Sequence, residues 1–149
     1  MNTSKRLIGI ALIAIGAIVA VHTIVEPLYH VSSDAYPYSP LWSAINPLTA
    51  LAIVLGVICA HARKKACDAT DGNTAVTREF LAASLQLYGF LFVGILFFWN
   101  WFSILMPGFT GAGGDTVSMT WILIDASVPL LSVSLGLHLV RDGDRSKNP

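Results

Sequence analysis

Residues 41–65 read LWSAINPLTALAIVLGVICAHARKK: a tryptophan near the start, a mostly apolar run, then a basic stop. About 20 apolar residues in a helix cover a hydrocarbon core of about 30 Å. Indole rings favour the headgroup boundary, and basic side chains stay on the cytoplasmic side. The stretch therefore reads as one membrane crossing, entering from outside at Trp42 and leaving into the cytoplasm at Arg63.

Working outward, the remaining basic residues obey the same rule. All 9 Lys and Arg fall in three segments: Lys5 and Arg6; Arg63, Lys64, Lys65 and Arg78; and Arg141, Arg145 and Lys147. None lies between Arg6 and Arg63 or between Arg78 and Arg141, so each gap holds an outward and a return crossing. The expected fold is an all-α integral membrane protein, a four-transmembrane-helix bundle with N and C termini cytoplasmic. Residues 1–149 form a single membrane domain, with spans at about 7–25, 41–62, 80–105 and 117–140. Outer loops fall at 26–40 and 106–116, and a cytoplasmic connector at 63–79. The expected location is a prokaryotic cytoplasmic membrane. Trp42, Trp99, Trp101 and Trp121 all fall at outer span ends. They read first as an interfacial anchor belt and, as the alternative, as a ligand-stacking cage.

Composition agrees. The chain is 54% hydrophobic and 12% charged, against about 25% charged for a soluble domain. Its net charge is zero, which argues against nucleic acid as a partner. Cys59 and Cys67 both fall on the cytoplasmic side of this topology, so a structural disulfide is not expected. The apolar run Leu7–Val25 follows Lys5 and Arg6 as in a signal peptide, but it is long enough to be a retained span.

Local signals fix the helix ends. Span one is expected to end at Glu26-Pro27, because proline disfavours helix in the residue before it. The following loop holds Pro37, Pro40, Tyr29, Tyr36 and Tyr38 and reads as an ordered interfacial cap. Asp71-Gly72-Asn73 marks a turn, Thr77 caps span three, and Met106-Pro107-Gly108 ends it. The tail after Arg141 is expected to be mobile. Ala52, Gly56 and Ala60, like Gly16 and Ala20, recur every four residues. Such spacing lets helices approach closely, either within the bundle or against another protein. Trp42-x-x-x-Asn46-Pro47 also resembles Trp121-x-x-x-Asp125 followed by Pro129, a faint echo between spans two and four.

Few polar residues enter the spans. Asp125 lies about 12 Å inside span four at 1.5 Å per residue. An acid at that depth costs on the order of 3 kcal/mol and marks either a functional pathway or a hydrogen-bonded tie between helices. Asn46 and Asn100 reach similar depths, so the three are expected to form one polar patch, with Ser103 and Ser118 at its mouth. The inner halves are aliphatic except for Gln86, which argues against a continuous channel.

Two further constellations contain possible ligands. His22, Glu26, His30 and Asp34 are four residues apart, and imidazoles with carboxylates suit a transition metal. Pro27 interrupts that stripe, so ordinary interfacial polar residues are the simpler reading. His61 and His138 lie at the cytoplasmic ends of spans two and four, where facing imidazoles can ligate haem, with Arg63 and Arg141 near its propionates. Cys59, His61 and Cys67 match no closed zinc spacing. No cofactor is expected; a metal ion and haem are the minority readings. Phosphate loops, nucleophile elbows and zinc-protease motifs are absent, so the chain reads more as a non-enzyme than as an enzyme.

The leading expectation is a small noncatalytic accessory or structural subunit of a larger integral-membrane complex, such as a metalloenzyme or respiratory assembly. It would meet lipid, other membrane subunits or its own copies through the small-residue faces. The alternative is a small transporter or membrane ligand-binding protein with an outward-facing site around Asp125, Asn46 and Asn100.

Overall fold

The computed structural model describes residues 2–33, 37–70, 77–106, 108 and 111–145. They form four helices, α1 (Asn2–Tyr29), α2 (Trp42–Thr70), α3 (Arg78–Leu105) and α4 (Gly114–Arg145). No strand occurs among the described residues. All 4 helices are long and apolar enough to cross a membrane. On α3 the buried face holds Ala83, Gln86, Phe90, Val93, Phe97 and Asn100. Its opposite face exposes Leu81, Leu85, Tyr88, Phe92, Ile95, Trp99 and Phe102. A helix apolar on both faces belongs inside a protein or in lipid.

Successive helices run antiparallel, so one end of the bundle gathers the tryptophans and the other the basic residues. The broadest contact is α1 on α4, followed by α2 on α3; α1 and α3 occupy opposite corners and do not touch among the described residues. The small residues explain this pairing. Gly16 faces Val133 and Ser132 of α4, while Gly56 lies directly against the Phe90 ring of α3. Ala52 and Ala60 are fully buried. The α2 stripe thus packs within the bundle.

Helix ends depart from the expected spans. Helix α1 continues through Pro27 to Tyr29, and the His30 N–H still reaches the Glu26 carbonyl at 2.9 Å. Proline there removes only the hydrogen bond to the Thr23 carbonyl, and the helix carries on past it. Helices α2 and α4 overrun the apolar segments to Thr70 and Arg145. Charged pairs support these ends: Lys64 with Asp68 one turn away, Lys5 with Asp142 and Arg6 with Asp144. Thr77 caps α3, its Oγ1 accepting from the Phe80 N–H at 3.1 Å. The Asp71-Gly72-Asn73 turn lies outside the described residues.

At the basic end Arg63 joins three helices. Its guanidinium donates to Glu79 and, at 2.6 Å, to the Gln86 side-chain carbonyl. Gln86 in turn donates to Ser134 of α4 at 3.4 Å. Gln86 is 5% exposed, so deleting the arginine leaves a buried acceptor without its strongest partner. Hydrogen bonds to a charged group contribute about 1.5–3 kcal/mol. Arg63→Ala is therefore expected to lower the thermal midpoint in detergent by several degrees, with Arg63→Lys recovering part of the loss. An unchanged midpoint in Arg63→Ala would mean that the network is solvent-screened and dispensable.

Candidate functional site

A cavity of about 510 Å³ opens between the helices at the tryptophan-rich end. Each helix contributes residues three or four apart, hence one face per helix. Helix α1 supplies Thr23, Glu26 and Pro27; α2 supplies Trp42, Ser43 and Asn46; α3 supplies Trp101, Ile104 and Leu105; α4 supplies Ser118, Trp121, Ile122 and Asp125. Tyr38 closes one side by sharing a 3.0 Å hydrogen bond with Ser118.

The two acids play different parts. Glu26 is engaged on both oxygens: Oε1 accepts the Ser39 N–H and Oε2 the Trp42 Nε1–H, both at 2.8 Å. Ser39 also receives the Tyr29 hydroxyl at 2.9 Å, and that hydroxyl lies 3.1 Å from His22 Nδ1. The His22 ring meets Trp42 edge-on at 4.5 Å. This network fastens the segment before α2 to the end of α1. Asp125 is 9% exposed, yet no described residue hydrogen-bonds to its carboxylate or pairs with it. Asn46 likewise lines the cavity with its amide unengaged by the described residues.

Three in-helix prolines adjoin the residues of this wall. Pro27, Pro47 and Pro129 all lie inside helices, and each lacks the N–H that would bind the carbonyl four residues earlier. Those carbonyls belong to Thr23, Ser43 and Asp125, three residues of the cavity wall.

Of the expected polar patch, Asp125 and Asn46 therefore meet in the cavity, and Asn100 does not. Asn100 is fully buried and ties α3 to α4 by donating to the Val117 carbonyl at 3.1 Å. Ser118 sits at the cavity as expected, whereas Ser103 donates back to the Trp99 carbonyl. Trp42, Trp101 and Trp121 line the cavity, leaving Trp99, 40% exposed, as the one facing outward. The matching pairs Trp42/Asn46 and Trp121/Asp125 face this same space. Glu26 is the member that sequence placed elsewhere; its spacing from Thr23 gives it away once α1 is allowed to continue past Pro27.

Two described members of the possible metal set are turned to other partners. His22 is turned towards Tyr29 and Trp42, and Glu26 is engaged by two N–H donors. Asp34 lies outside the described residues. Among the described residues no three His, Cys, Asp or Glu side chains gather around a metal position. Of the possible haem pair, His138 lines a cavity of about 730 Å³ at the basic end with Lys5, Arg63 and Asp142, whereas His61 is exposed and is not among the described residues of that wall. Cys59 and Cys67 line the same cavity as free thiols.

No protein-family model matches the chain, and neither a curated protein nor a solved structure matches it.

Proposed function

We propose that this protein is a small transporter or membrane ligand-binding protein whose site is the tryptophan-rich cavity, opening to the exterior. The observation that carries this reading is Asp125: a residue nine-tenths buried, lining a cavity, whose carboxylate has no hydrogen-bond or ion-pair partner among the described residues. Ionisable groups inside a membrane bundle are costly and mark a ligand pathway. A volume of about 510 Å³ falls within the usual range for a small-molecule pocket, roughly 300–1,000 Å³. The charge asymmetry of the sequence supports an exterior position for this end. The accessory-subunit reading loses part of its motive, because the α2 small-residue stripe is occupied within the bundle.

Thiol accessibility tests the direction of opening. In a Cys59→Ser/Cys67→Ser background, Ser43→Cys is expected to react with an impermeant maleimide added outside right-side-out vesicles. Cys67 in the natural chain should react only after permeabilisation. The reverse pattern would place the cavity on the cytoplasmic side and overturn the proposal as stated.

A further inference from the structure

Resting on the ligand-binding reading above, we infer that the cavity's ligand is a small organic ammonium cation carrying an apolar, preferably flat, body. Charge gives the first reason. Among the described residues, the wall contains two carboxylates, Glu26 and Asp125, and no Lys, Arg or His. An anion entering this space would meet both acids without a counter-charge. The acids alone would not define a site; the second observation is that Asp125 is 9% exposed and unpartnered on the cavity side. Because Glu26 is already held by Ser39 and Trp42, Asp125 is the group available to meet an ammonium.

The rest of the wall selects the type of cation. Trp42, Trp101, Trp121 and Tyr38 present ring surface, and Ile104 and Leu105 add aliphatic surface. Aromatic faces attract cations, most strongly where water is excluded, and they also cover a flat apolar body. A metal cation uses none of this area: calcium takes about 6–8 oxygen ligands and magnesium a tight octahedron. The described residues assemble no cluster of three His, Cys, Asp or Glu side chains.

The test compares three probes of one shape: phenethylammonium, neutral 2-phenylethanol and anionic phenylacetate. Each is titrated into the purified full chain in lipid nanodiscs, with heat and tryptophan fluorescence as readouts. Sodium and magnesium chloride serve as inorganic probes. Phenethylammonium is expected to bind at least tenfold more tightly than the neutral and anionic analogues. Asp125→Asn is expected to weaken it at least tenfold, and Trp101→Leu severalfold. The tryptophan variant keeps the test decisive should Asp125→Asn fail to fold. Equal or tighter binding of 2-phenylethanol or phenylacetate would overturn the ammonium assignment and leave the ligand site standing. Binding of magnesium or sodium alone, abolished in Asp125→Asn, would do the same in favour of a metal cation. No response to any probe, from protein that unfolds cooperatively, would count against the ligand-binding reading itself.

Discussion

Gly136→Leu is expected to prevent the bundle from assembling, and even Gly136→Ala to destabilise it by about 3 kcal/mol, the upper part of the usual overpacking range. A Cβ at Gly136 would lie 2.6 Å from the Gly9 carbonyl oxygen and 2.7 Å from Ile13 Cγ1. The obstruction at Gly9 is backbone, so no rotamer change relieves it. Helices α1 and α4 would have to separate along the broadest contact of the fold. Gly56 offers a contrast, because the neighbour of an added methyl group there is the Phe90 ring. Gly56→Ala should therefore be partly rescued by Phe90→Leu, whereas Gly136→Ala should not be rescued by Ile13→Ala. Thermal unfolding of the two double-mutant cycles in detergent measures this. Rescue at Gly136 equal to that at Gly56 would show that the α1–α4 seam yields and does not depend on close backbone approach.

The same geometry shows which parts of the structure sequence could reveal. Depth was legible: hydropathy located four helices, and Asp125, Asn46 and the tryptophans do share one end. Azimuth was not. In a soluble helix the polar face identifies the outside, but lipid is as apolar as a core. Asn100 shows the consequence. It stands one residue before Trp101, yet Trp101 faces the cavity while Asn100 is turned to the Val117 carbonyl. About 100° of rotation separates neighbours on a helix of 3.6 residues per turn, and no sequence signal at position 100 set that direction. Glu26 was misplaced for another reason. A proline rule suited to soluble helices ended α1 too early, so a helix-borne cavity residue looked like a loop residue. The α2 and α4 extensions were hidden because their charged ends resemble connectors until partners such as Asp68 and Asp142 are seen.

Glu26→Ala is expected to cost about 2–5 kcal/mol, since each polar group left unsatisfied in a buried position costs about 1–3 kcal/mol. Two donors lose their acceptor at once: the backbone N–H of Ser39, a residue only 2% exposed, and the indole N–H of Trp42. Glu26→Gln should cost roughly half as much, because its amide oxygen still accepts one bond while its NH₂ faces the other donor. The loss should appear as a lower thermal midpoint, faster proteolysis between residues 37 and 41, and altered Trp42 fluorescence. Asp125→Asn provides the internal comparison, because it removes no hydrogen bond with a described residue. Its midpoint is expected to stay close to that of the natural chain. A drop in Asp125→Asn as large as in Glu26→Ala would make Asp125 a structural tie and remove the main support for a ligand there. A stable Asp125→Asn beside a crippled Glu26→Ala would instead separate an acid that holds the cavity's wall from one left free within it.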